Sequence, residues 1–89
     1  MDKISKEKLL LAFGDNVKAI RESKGITQVQ LAELSGFHRT YISQIERGLR
    51  NPNLLNISIL TDALNTNVSR LLENVFSDTS VAGDVCESR

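Results

Sequence analysis

Arg39, Thr40, Ser43, Gln44 and Arg47 carry hydrogen-bonding groups at spacings that a helix would gather onto one face. With about 100° per residue and Arg39 as origin, Ser43 falls at about 40°, Arg47 at about 80°, Thr40 at about 100° and Gln44 at about 140°. Ile42 and Ile45 fall on the other side, with Tyr41 at the border. Such a face can recognise rather than break bonds. A guanidinium fork matches guanine O6 and N7, a Gln amide matches adenine N6 and N7, and a Thr methyl packs on that of thymine. Each good bidentate pair discriminates between bases by about 1–3 kcal/mol. The same pattern is also the wet side of any amphipathic helix, so the neighbouring elements have to decide between the two.

Catalysis finds no comparable constellation. His38 is the only histidine, and neither a nucleophile nor a second ligand stands at a useful spacing from it. Cys86 is the only cysteine, which excludes an intrachain disulfide and suits a reducing cytoplasm. No Cys/His set has the spacing of a zinc site. Asp15, Glu22, Glu33 and Asp62 read as solvated helix faces. The chain reads as a non-enzyme with no metal and no cofactor.

The elements that must hold the recognition face follow from apolar periodicity and capping residues. Leu9, Leu10, Phe13, Val17 and Ile20 form one stripe and predict a first helix over about 6–23, with Ser5 as its N-cap and Gly25 closing it. Gly14 within it costs about 1 kcal/mol against Ala, which suggests that another helix packs closely there. Thr27 caps a second helix to about Leu34, with Val29, Leu31, Ala32 and Leu34 as its apolar positions. Ser35-Gly36 makes a sharp turn into a third helix that ends at Gly48. A fourth runs over about 54–64 behind Asn53, its stripe being Leu54, Ile57, Leu60 and Leu64, and a fifth over about 68–74 behind Asn67. Five short helices and no strand pattern predict an all-α domain over 1–76, a compact five-helix bundle. Residues 77–89 are small, polar and aperiodic, and predict a disordered acidic tail. The run from Thr27 to Gly48, TQVQLAELSGFHRTYISQIERG, has the layout of a helix-turn-helix, which tips the polar face of the third helix towards the DNA major groove.

Composition sets bounds on this picture. With 40% apolar and only 4% aromatic residues, an 89-residue chain has one aliphatic core, and pairing with a second copy would add stability. Eleven basic and eleven acidic residues cancel, which argues against a histone-like, non-specific binder. The first 72 residues hold 10 Lys/Arg against 7 Asp/Glu, and the remainder is acidic. A basic body with an acidic end is compatible with DNA binding, because the local field matters more than the total charge. The N-terminal stretch has only a three-Leu run, too short for a signal peptide or a membrane span, so a cytoplasmic protein is expected.

Taken together, Arg21, Gly25, Thr27-Gln28, Leu31-Ala32, Gly36, Ile42-Ser43, Ile45-Glu46-Arg47-Gly48, Asn51-Pro52, Ala63-Leu64 and Leu71-Leu72 resemble the Xre/Cro-type helix-turn-helix family of phage repressors and bacterial regulators. The resemblance covers about residues 10–73, and HRTYISQIERGLRNP is most similar to the small controller proteins of restriction–modification systems. It implies a lambda-repressor-like fold with the helix-turn-helix at the second and third helices. It implies base reading by Arg39, Thr40 and Gln44, with Ser43 on the same face. Phosphate contacts would come from Thr27, Gln28, His38, Tyr41, Arg47, Arg50 and Asn51, and a structural ion pair from Arg21 and Glu46. A two-fold dimer is implied near the last helix, where Val68, Leu72, Val75 and Phe76 are apolar in excess of local need. Two positions depart from the family pattern. His38 stands where Ser or Thr usually caps the third helix, and Asn65 replaces a common Gly.

These readings imply a homodimeric, sequence-specific transcriptional regulator on an inverted-repeat operator, autoregulatory if it is a controller. Its partners would be double-stranded DNA, a second copy and RNA polymerase, which promoter occupancy would block or recruit. The alternative is an antitoxin or other protein-binding module that uses the same fold to autoregulate its operon.

Overall fold

Each helix starts behind a side chain that satisfies its free amides. The structure, a computed structural model, describes residues 5–76. Ser5 Oγ accepts from the Lys8 amide and opens α1 (Lys6–Ser23). α2 (Gln28–Ser35) opens with a reciprocal box: Thr27 Oγ1 accepts from the Gln30 amide at 3.0 Å, and Gln30 Oε1 accepts from the Thr27 amide at 2.8 Å. At α3 (Arg39–Glu46) His38 does cap, Nδ1 accepting from the Thr40 amide at 3.4 Å, a longer bond than the oxygen caps make. Asn53 caps α4 (Leu54–Ala63) and Asn67 caps α5 (Val68–Leu71). Each cap is worth about 1 kcal/mol, so local chemistry alone places most of the boundaries.

The turns are equally local. Gly36, at φ 80°, supplies the left-handed residue that lets α3 leave α2 at once. Asn65, at φ 52°, does the same after α4, where its short amide tolerates the conformation that Gly more often fills.

α5 stops at Leu71, three residues short of the end that the apolar pattern predicts. The reason lies in α1. Asn16 Nδ2 donates to the carbonyls of Leu71 at 2.9 Å and Glu73 at 2.8 Å, drawing both out of any helical ladder. The chain continues in tight turns, with Val75 N donating to Leu72 O, and reverses at Asn74 with φ 65°.

The core gathers Phe13, Val17 and Ile20 from α1, Leu31 and Ala32 from α2, Ile42 and Ile45 from α3, Leu60 and Leu64 from α4 and its end, and Leu71 and Val75 from the last segment. Four apolar expectations change. Val29 and Leu34 are exposed, because an eight-residue α2 turns only its Leu31–Ala32 side inward. Leu54, in the first turn of α4, is 78% exposed, so that stripe begins at half-buried Ile57. Val75, expected with Val68, Leu72 and Phe76 at the dimer surface, is instead fully buried, because the turns after α5 fold it back under the bundle.

α1 and α3 touch backbone to backbone. A Cβ on Gly14 would collide with the Ile45 carbonyl and lie 2.7 Å from that of Glu46. The glycine that weakens α1 locally is therefore what seats α3 against it. All described secondary structure is helical, and none of the described helices is long and apolar enough to cross a membrane. The tail expected over 77–89, Cys86 included, lies outside the described residues.

Candidate nucleic-acid interface

α3 is amphipathic in the sense the site requires. Ile42 and Ile45 are sunk in the core, while Arg39 and Thr40 are exposed and Ser43 and Gln44 half-buried on the outer side. Burying two Ile side chains, at about 1.5–3 kcal/mol each, fixes the rotation of the helix and hence which residues face outward.

A polar chain runs from the core to this face. Arg21 on α1 donates from Nε to Glu46 Oε2 at 2.6 Å and from Nη2 to Glu46 Oε1 at 3.0 Å, a bidentate pair. Its Nη1 donates to the Ile26 carbonyl at 2.8 Å, which anchors the loop ahead of α2. Both side chains are buried, and the Glu46 carboxylate bonded to it raises the Arg21 pKa further above its already high ordinary value, so the guanidinium stays charged. Gln28 Nε2 donates to Glu46 Oε1 at 3.0 Å, and Arg39 Nη1 donates to Gln28 Oε1 at 3.3 Å. Three helices thus meet in one network that ends on Arg39, the first residue of α3.

A second cluster lies at the other end of the face. Arg50 Nη1 donates to Gln44 Oε1 at 3.1 Å, and its guanidinium stacks 5.0 Å above the Tyr41 ring. Tyr41 packs edge-on against Phe37, and its hydroxyl accepts from Asn56 Nδ2 at 2.9 Å. That leaves the phenolic hydrogen free to donate to another acceptor. Arg47, which caps α3, and Asn51 are exposed beside it.

The structure thus brings Arg39, Thr40, Ser43 and Gln44 together on one face and joins Arg21 to Glu46 as the pair that the resemblance implies. Thr27 is engaged in its own helix cap, His38 in that of α3, and Gln28 inside the network, so these three hold up the interface from within. Two contributors escaped sequence reasoning. Asn56 steadies the Tyr41 hydroxyl, and Gln30 completes the α2 cap. Gln30 was legible, because Thr followed three residues later by Gln is a capping-box signature. Asn56 carries no such signal, since its partner is 15 residues away. No group of side chains able to hold a metal ion occurs among the described residues.

A buried-backed helix with a polar outer face, set behind a second helix by a glycine turn, defines a DNA-binding helix-turn-helix protein. The chain belongs to the helix-turn-helix family, whose profile matches residues 17–71. Within that family it is similar to the control proteins. Control protein C.SmaI of Serratia marcescens is 50% identical over 60 residues, which cover 67% of this chain and 71% of that protein. The crystal structure of the restriction–modification controller protein C.AhdI from Aeromonas hydrophila superposes with a TM-score of 0.68 at 42% identity, covering 70% of this chain and 94% of that one. The controller protein C.Esp1396I, solved as a tetramer in complex with its natural 35 base-pair operator, gives a TM-score of 0.69 at 36% identity, over 75% of this chain and 88% of that one. The chain is a sequence-specific DNA-binding transcriptional regulator of the controller type.

Proposed function

We infer that this regulator acts as a homodimer on an inverted-repeat operator, and that it controls its own promoter as part of a restriction–modification system. The observation that carries the reading is the outer face of α3, where Arg39, Thr40, Ser43 and Gln44 stand together with their backs packed into the core. Arg39, Thr40 and Gln44 meet base edges, with Ser43 beside them. Arg47, Arg50, Asn51 and the Tyr41 hydroxyl meet phosphates, and the α2 N-terminus adds the Gln28 amide and the helix dipole, the Thr27 amide being held by Gln30.

The functional unit is the domain over 1–76, paired with a second copy through Val68, Leu72 and Phe76. Phe76, 69% exposed, lines an apolar cleft together with Leu72, and contiguous apolar surface of this kind marks an interaction site. Leu54 and Leu55 of α4 are exposed as well. A two-fold pair would set the two recognition helices about 34 Å apart, one turn of DNA. Promoter occupancy in the cytoplasm would then exclude RNA polymerase or recruit it, without any chemical step.

The test is a titration of the DNA upstream of the gene against scrambled DNA of equal length, at two salt concentrations. A preference that survives the higher salt is the expected result. Weak binding to both, vanishing with salt, would instead mean that the fold serves a protein partner, as in an antitoxin.

A further inference from the structure

The Gln28 amide has one orientation open to it. Of its two neighbours, the Glu46 carboxylate only accepts hydrogen bonds and the Arg39 guanidinium only donates them. The NH2 group must therefore turn inward to Glu46, at 3.0 Å, and the carbonyl outward to Arg39, at 3.3 Å. Glu46 cannot swing to relax this arrangement. It is 6% exposed and clamped on both oxygens by Arg21, which is itself tied to the Ile26 carbonyl. The acceptor that faces Arg39 is thus fixed from the core outward.

Resting on the reading of α3 as the DNA-reading helix, we propose that Gln28 and Glu46 are positioning residues for base specificity, holding one arm of the Arg39 fork so that its Nε/Nη2 edge faces a guanine, one in each half-site. The held arm is Nη1, and the opposite edge keeps two parallel donors, the pattern that guanine O6 and N7 accept. Adenine at the same place offers an N6 donor, and a guanidinium has no acceptor to meet it. An untethered Arg could escape this mismatch by swinging to a phosphate, which would recover affinity on the wrong sequence. A tethered Arg cannot, so the mismatch stays costly. The tether also lowers the side-chain entropy that remains to be lost when the correct base binds.

The test uses the full chain on its footprinted operator and on operators with each guanine replaced in turn by adenine. Dissociation constants are measured for the wild type, Gln28→Ala, Gln28→Leu, Arg39→Lys and the Gln28→Ala/Arg39→Lys double variant, with folding followed by circular dichroism. Arg39→Lys keeps the charge and loses the fork, so it identifies the base pair that Arg39 reads. At that base pair alone, Gln28→Ala and Gln28→Leu should each lose about tenfold in discrimination, mostly through tighter binding to the adenine operator. On that operator the salt dependence should steepen, by up to about 0.9 in log–log slope, as the freed Arg39 gains a phosphate. In the Arg39→Lys background, Gln28→Ala should change discrimination no further.

Gln28 variants that weaken binding to all operators equally would make Gln28 a phosphate contact and overturn the positioning role. So would a loss that adds in full to that of Arg39→Lys, or no loss at all while the wild type still discriminates. A wild type that fails to tell its operator from scrambled DNA would overturn the DNA-reading function itself, and the two failures are thereby distinct.

Discussion

Single residues here differ in what they stake on the fold. Arg39 is exposed and tethered only at its tip, so Arg39→Ala should leave thermal stability nearly unchanged. On the operator it should cost about 1–3 kcal/mol at one base pair per half-site, read by binding to base-substituted operators. Equal loss on every sequence would assign it to a phosphate instead. Arg50 is the contrasting case. It is stacked on Tyr41 and bonded to Gln44 at the end of the reading face. Arg50→Ala should lower the slope of log K against log salt by about 0.9 for each copy bound, with base preference retained. Arg21 has a wholly structural stake. Arg21→Ala strands the Glu46 carboxylate in the core and should destabilise by about 3–5 kcal/mol in urea unfolding. The Arg21→Met/Glu46→Leu double substitution should recover much of that loss, because no unpaired charge is then left behind. A double variant as unstable as the single one would mean that the pair contributes more than it costs to bury.

At the scale of elements, the α1–α3 contact governs how α3 is set in the fold. Gly14→Ala would improve the helix propensity of α1 by about 1 kcal/mol. It also places a methyl group against the Ile45 and Glu46 carbonyls, where backbone must yield rather than a flexible side chain. The packing cost, about 1–3 kcal/mol or more, should win, giving a lower denaturation midpoint and weaker operator binding from a tilted α3. A stabilised variant would show that the two helices can separate freely. Asn16 does comparable work for the last segment. Asn16→Ala removes both of its bonds to the Leu71 and Glu73 carbonyls, and should loosen the turns that bury Val75 and present Phe76. Self-association should then weaken more than secondary structure content.

At the scale of the whole molecule, the proposed pairing can be tested at the exposed apolar residues of α4 and the last segment. An apolar cleft of about 100 Å³ lies between Leu9, Leu10, Phe13, Ile57, Leu72 and Phe76, which places Phe76 on its rim. A Phe76→Glu or Leu55→Glu chain should sediment as a monomer at concentrations where the wild type pairs. It should also bind an isolated half-site as the wild type does, while losing the steep dependence on the second half-site. An unchanged sedimentation profile for both would move the pairing surface elsewhere.

Much of this molecule was legible one residue at a time. Ser5, Thr27, Asn53 and Asn67 announce helix starts because capping is a local bargain between a side chain and amides two or three residues on. Gly36 and Asn65 announce turns because positive φ depends on the residue itself. The polar face of α3 followed from helical periodicity, and the Arg21–Glu46 pair from resemblance alone, since no spacing rule links residues 25 apart. Only the tertiary structure decided the rest. The early end of α5, the burial of Val75 and the exposure of Leu54 depend on which neighbour reaches each position, and an apolar residue reads the same in sequence whether or not one arrives. The same holds for the chain of bonds from Arg21 through Glu46 and Gln28 to Arg39. Each link is an ordinary polar side chain, and it becomes a device for aiming Arg39 only because three helices bring the four within hydrogen-bonding distance, where a carboxylate that only accepts and a guanidinium that only donates leave the amide between them a single way to turn.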